Sequence, residues 1–239
     1  MQEADVGKFE PENDTSRKLE FVAALDREEE WRELLLVFGY MLAHPERNFK
    51  KDGVGTEEIH RLLLEGWSRD NDGEMTRAHA DKMIEIAGNR KIGETILAVR
   101  KKIEATLSYI VTPLVGVDGR MYIEIGKGVS LPESSREAYP SLWDHVVLGL
   151  IAEKYPDAIV FSKTVNPAIS KRYEDRKFVE LSCDDFAKRF PPESQTDEGV
   201  ELCEYIWGWL NGGKRMFVAP VPAGELAEHV RAALGKSGQ

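Results

Sequence analysis

At Ile110 the hydrophobic period of this chain changes, and that change constrains the fold more than any other feature. Upstream, apolar residues recur at the three-and-four spacing of helix faces. Trp31, Leu34, Leu35, Phe38, Met41 and Leu42 share one face of a helix over about 19–43. It ends at His44-Pro45, since the residue before a proline is pushed out of the α region. Thr56 reads as the N-cap of a helix over 57–67, and Thr76 opens another through Ala87. Ile92, Ile96, Val99, Ile103 and Leu107 form the stripe of a helix over 92–107, with Arg100, Lys101 and Lys102 facing away. Beyond Ile110, VTPLVGV and RMYIEIG flank Asp118-Gly119, the signal of a β-hairpin, and Pro113 marks an edge strand.

Further on, the pattern predicts a helix at 142–154, strands at 158–165 and 177–181, and helices at 183–190 and 197–211. A strand at 215–221 and a helix at 223–234 complete it. The expected fold is α+β (mixed): a loose tail at 1–18, a helical domain at 19–109 and an α/β domain at 110–239. The α/β part carries a mixed sheet of about five strands, joined to the helical part through 92–107.

Charge and cysteine usage narrow the function classes. The 239 residues carry a net charge of −10, which argues against a broad nucleic-acid footprint, since phosphate binding needs an excess of Lys and Arg. Two cysteines, Cys183 and Cys203, are too few for a disulfide framework and indicate a reducing compartment. The longest apolar runs fall short of the ~20 residues of a membrane span. The start of the chain is acidic and polar, unlike a signal peptide. A cytoplasmic protein without membrane contact is expected.

Two patterns carry candidate chemistry. Asp157 follows Pro156 at the head of a strand, and Glu180 lies on the next strand. The order helix, strand, strand, helix, strand over 142–221 resembles the PD-(D/E)xK nuclease-like superfamily. The resemblance implies that Asp157 and Glu180 hold Mg²⁺ or Mn²⁺, as paired hard-oxygen ligands do. It also implies that His145 is a further ligand and that a lysine two residues after the acid acts in catalysis. Ser182 stands at that lysine position, so Lys177 is the candidate in its place. Lys163, Lys171, Arg172 and Arg176 cluster around the connection between the strands as a nucleic-acid-binding rim. No organic cofactor is indicated.

Residues 57–87 resemble an EF-hand: Asp70, Asp72 and Gly73 match loop positions, whereas Ser68 and His79 replace ligands. Ser182 and Asp185 have the spacing of a capping box before a helix at Cys183. Val200, Cys203, Trp207 and Leu210 repeat at core spacing, which leaves Trp209 pointing toward a protein partner. The expected function is a nucleic-acid-associated protein with a nuclease-like, metal-binding domain, active or inactive. The alternative is a non-catalytic interaction or regulatory protein with an EF-hand-like or winged-helix-like helical domain.

Overall fold

The computed structural model describes residues 18–43, 53–55, 57, 58, 61, 84, 89, 92–100, 102–131, 134–165 and 167–236. The helices expected at 57–67 and 76–87, and the EF-hand-like loop between them, lie almost entirely outside these residues. The described strands are β1 (Glu20–Ala23), β2 (Gly93–Val99), β3 (Ile103–Val115), β4 (Met121–Ser130), β5 (Ile159–Thr164), β6 (Val179–Glu180) and β7 (Arg215–Val218). They form one sheet of seven strands rather than five, in the order β1-β2-β3-β4-β5-β7-β6. β4 and β5 run parallel, and the other described pairs are antiparallel.

The helix expected over 92–107 is corrected: these residues are β2, a turn and the start of β3. Ile96 pairs with Leu107 and Ala98 with Ala105, and the amide of Arg100 donates to the carbonyl of Lys102 across the turn. Four of the five stripe residues divide between faces of the sheet, Ile96 and Leu107 in one cluster, Val99 and Ile103 in another, and Ile92 is an exposed turn residue before β2. Both faces are apolar here, so the period-two alternation of a half-exposed strand never appears. The division expected between 109 and 110 therefore falls inside β3.

The hairpin at Asp118-Gly119 is present, with Gly119 at φ 73° and Asp118 Oδ1 accepting the amide of Arg120. Pro113 is not on an edge. It lies in β3 where the pairing with β4 is interrupted between Val111 and Val115. Proline cannot donate to a ladder, and Gln195 repairs the break beyond it. The Gln195 side chain donates to the Val115 carbonyl (2.7 Å) and accepts from the Val115 amide (3.1 Å).

Helices cover both faces. On the first face lie α2 (Ala138–Ser141), a π-helical stretch (Leu142–Val147), α3 (Leu148–Lys154), α4 (Pro167–Asp175) and α7 (Ala223–Lys236). There Ile123, Ile125, Trp143, Val147, Tyr173 and Phe217 belong to one large apolar cluster. α4 occupies what the sequence suggested was a basic connection. The second face has two smaller clusters. α1 (Glu28–Ala43) places Trp31, Leu34 and Leu35 on Leu97 and Val99. α5 (Cys183–Arg189) and α6 (Asp197–Asn211) place Phe186, Phe190, Ile206 and Leu210 on Leu114, Phe161 and Val218. The expected cap is present: Ser182 Oγ accepts the amide of Asp185 at 3.1 Å. No described helix is long and apolar enough to cross a membrane.

Candidate functional site

The parallel pair parts almost as soon as it forms. β4 and β5 are in register at Tyr122 with Ile159, Ile123 with Val160 and Glu124 with Phe161. Beyond these pairs β4 stays with β3, and β5 stays with β7 through Thr164 and Arg215. A bulge accompanies the parting. Between Thr106 and Ser108 β3 advances two residues, while their partners Val129 and Gly126 on β4 lie three apart. The extra residue bends the bulged strand and strengthens its twist. Gly128 sits in that bulge against Tyr139 of α2, where a Cβ would come within 2.5 Å of the phenol oxygen. The result is a fork at the carboxyl ends of two parallel strands, the place where open α/β sheets receive ligands.

On the second face a band of polar side chains runs across β2, β3 and β4 to the fork. Thr95 and Ser108 are buried and share a hydrogen bond of 2.8 Å. Thr106 is buried as well, and its hydroxyl has no hydrogen-bond partner among the described residues. Glu124 is 8% exposed, and its Oε2 lies 3.2 Å from Lys163 Nζ. The Lys163 ammonium also stands over the ring of Tyr205, 4.8 Å from its centroid, and 6.0 Å from that of Trp209. Gly126 leaves room for the carboxylate: a Cβ there would lie 3.1 Å from Glu124 Oε1. This band separates the two apolar clusters of the face. A buried ion pair is poor value as a stabiliser, because desolvation offsets most of its attraction. Its place at the fork therefore points to chemistry.

The first face of the fork holds Tyr173, whose phenol receives a hydrogen bond from Trp143 Nε1 at 3.4 Å and is also bonded to the Ser162 hydroxyl. Burial pushes the Tyr173 and Tyr139 phenols up from their ordinary range, so both are neutral. Arg172 lies over the Tyr139 ring at 5.2 Å, and its Nη1 is buried without a partner among the described residues. Near the start of α2 the amide and hydroxyl of Ser135 are both taken by Glu104.

The residues expected to bind metal do not meet. Glu180 pairs with Phe217, which pairs with Ser162, so Glu180 stands two strands away and five residues along from Asp157. That separation is roughly 20 Å. The Glu180 carboxylate instead accepts from Arg215 Nε (2.6 Å) and Nη2, which hold it below the usual carboxylate range. Asp157 is an exposed turn residue. His145 is exposed beside a cleft of about 710 Å³ lined also by Glu153, Glu228 and Arg231. Lys177 occupies the turn before β6 with φ 62°. Among the described residues no group of three or more His, Cys, Asp or Glu is placed to hold a metal ion. The expectation of Mg²⁺ or Mn²⁺ is corrected on this geometry.

The basic rim expected for nucleic acid dissolves too. Lys163 is paired with Glu124, and Arg176 is bidentate to Asp144 with Nη2 distances of 2.6 and 2.7 Å. Arg172 covers Tyr139, which leaves Lys171 and Lys177 as exposed members. On α6 the core positions are Cys203, Ile206 and Leu210, so Trp207 is 50% exposed and not packed. Trp209 is half-buried and lies under Lys214, whose Nζ is 4.2 Å from its ring centroid. Glu124 was missed, although RMYIEIG places it on the same side of the strand as buried Tyr122. An acid at an inward position beside a glycine was the available signal.

No family model matches the sequence, and no curated protein matches it. Among solved structures, the chain is similar to a histone acetyltransferase HPA2 and related acetyltransferase from Corynebacterium glutamicum, with 11% identity and TM-score 0.43 over 85% of this chain and 96% of that one. It is similar to an acetyltransferase from Streptococcus agalactiae, with 12% identity and TM-score 0.41 over 85% and 98%. It is also similar to RimL, a ribosomal L7/L12 alpha-N-protein acetyltransferase in complex with coenzyme A, with 16% identity and TM-score 0.42 over 87% and 97%. These are neither nucleases nor EF-hand proteins, and both resemblances suggested by the sequence are corrected, with the nuclease-like and regulatory functions built on them. The expectation of no organic cofactor is not kept either, since the last of these structures holds one. With TM-scores below 0.5, the likeness carries no weight for what this chain acts on, which is judged on its own fork.

Proposed function

We propose that the chain is a group-transfer enzyme that takes an extended acyl thioester of the coenzyme A type between β4 and β5 and passes the acyl group to an acceptor on the second face. One observation carries this: the parallel strands part at a bulge, and a buried carboxylate, Glu124, stands at the apex of the fork. Two strand edges that no longer pair offer backbone donors and acceptors to an extended, amide-bearing chain. The arm of coenzyme A, the molecule present in the RimL structure, is such a chain.

The residues of the fork fit this group. Arg172 Nη1 is a buried cationic donor with no partner among the described residues, suited to an anionic part of the ligand. Glu104 already takes the amide and hydroxyl of Ser135, so the phosphate contacts fall to Arg172 rather than to the start of α2. When bound, the thioester supplies an activated acyl carbon. Glu124 would accept a proton from the acceptor in a water-poor site, and a general base in this position contributes about 10²–10⁴-fold.

The test is a thermal melt and calorimetric titration with acetyl-coenzyme A, using wild type, Arg172→Ala and Glu124→Gln. Binding at a hundredfold excess over Kd stabilises the fold by about 2.7 kcal/mol. Arg172→Ala should weaken binding, and Glu124→Gln should bind as wild type does but lose transfer. Absence of any stabilisation of wild type at millimolar ligand would remove the proposal.

A further inference from the structure

We propose that Lys163 is itself an acylation site, modified by the thioester held at the fork with Glu124 as proton acceptor; this rests on the function proposed above. Lys163 is the first β5 side chain of the second face beyond the last β4–β5 partner, Phe161. Its side chain is 11% exposed, and its Nζ is fixed on one side by Glu124 Oε2 at 3.2 Å and on the other by the ring of Tyr205 at 4.8 Å. An amine held against a carboxylate base is the arrangement of an activated nucleophile. Fixing both groups at the mouth of the donor's slot gives the reaction its orientation in advance.

The step balances without a further reagent. The Lys163 ammonium gives one proton to the Glu124 carboxylate. The freed lone pair on Nζ attacks the thioester carbonyl carbon, the C–N bond forms and the C–S bond breaks. The second proton leaves Nζ for the departing thiolate, so that an amide with one N–H and a free thiol result, and Glu124 returns its proton to water. Acylation removes the charge of Lys163. It ends the contacts with Tyr205 and Trp209 and leaves Glu124 buried without its cation, which is destabilising. The modified chain therefore has a Glu124 free to serve an incoming acceptor and a lower melting temperature.

The experiment incubates the full chain with acetyl-coenzyme A and, separately, with acetic anhydride, then maps acetyl-lysine by peptide mass spectrometry and records the melt of each sample after removing the reagent. Acetic anhydride acts from bulk solvent and should label exposed lysines such as Lys171 and Lys177 ahead of Lys163. Acetyl-coenzyme A should reverse that order, adding one acetyl group at Lys163. The label should fall at least tenfold in Glu124→Gln and be absent from Lys163→Arg, and the labelled chain should melt lower. If the thioester stabilises the chain but Lys163 stays unlabelled, or is labelled no faster than the exposed lysines, this inference is overturned while the proposed function stands. If the thioester neither binds nor labels, both fall together.

Discussion

The two faces of the sheet are built on different terms. On the first, Trp143 packs edge-on to Tyr173 and Phe178, Tyr173 stacks on Phe217, and the cluster runs without a gap from Ile96 to Leu226. On the second, the apolar clusters under α1 and under α5 and α6 are separate, and Thr95, Thr106, Ser108, Glu124 and Lys163 lie between them. Continuous apolar burial is the cheapest source of stability available to a chain of this size. A face that gives up that burial for an ion pair, and for a hydroxyl with no partner among the described residues, fits the role proposed for the fork. The bulge in β4 serves both: it opens the fork for a ligand without disturbing the cluster behind it.

The largest effect that separates the faces is expected in the continuous cluster. Trp143 is 1% exposed and touches two other rings, so Trp143→Ala should cost about 3–5 kcal/mol in denaturant melts. A loss below about 1 kcal/mol would mean that the first face is not the stabilising one.

Next comes the ion pair of the second face. Lys163→Met alone leaves Glu124 buried without its cation and should cost about 3 kcal/mol, the low end for such pairs because each side chain keeps 11% exposure. Adding Glu124→Gln should recover most of it. A cycle in which the two changes simply add would show that the groups do not interact, and would take the fork's central feature away.

How much of this was visible beforehand depends on what each residue faced. The Asp118-Gly119 hairpin was legible because its turn residues carry a local conformational demand, met by Gly119 at φ 73°. The cap at Ser182 and the helix at Asp197–Asn211 were legible for the same local reason. β2 and β3 were not. Their residues are buried on both faces, and four-residue steps from Ile92 to Leu107 imitate a helix. Arg100 and Lys102 then looked like a polar helix face, although they form the turn. The fork was not legible either, because it depends on which strands pair and where they part, and a bulge leaves no signature in composition. Glu180 misled for the opposite reason. Its local setting suited a metal ligand, but a distant residue, Arg215, had already claimed it.

A smaller and opposite effect should come from Thr106. Its hydroxyl is buried without a partner among the described residues, and an unpartnered buried group forfeits its hydration. Thr106→Val keeps the shape and should raise stability by about 1 kcal/mol in the free protein. If Thr106→Val is instead destabilising, the hydroxyl is bonded and the polar band is better satisfied than the comparison of faces assumes. If it stabilises the free protein but weakens thioester or acceptor binding, the strain in the band is tied to its function.

The smallest effect belongs to the surface, at the edge strand β6. Glu180 is held below the usual carboxylate range chiefly by its hydrogen bonds from Arg215, which also reaches Glu174. A carboxylate whose folded pKa is depressed contributes stability that is present above its unfolded pKa and lost as pH falls through the folded value. For Glu180 the loss begins below the unfolded value near ~4.3. Its side chain is 44% exposed, so screening limits the contribution to about 0.2–1 kcal/mol. Urea melts of wild type and Glu180→Gln should therefore differ by that amount at pH 7 and converge near pH 3. The contrast with the buried pair of the fork is the point of the measurement. Raising salt should shrink the Glu180 difference, whereas the Glu124–Lys163 coupling, shielded from solvent, should persist. Equal salt sensitivity at the two sites would mean that water reaches Glu124 as freely as it reaches β6, and the fork would then not be the water-poor site that acyl transfer requires.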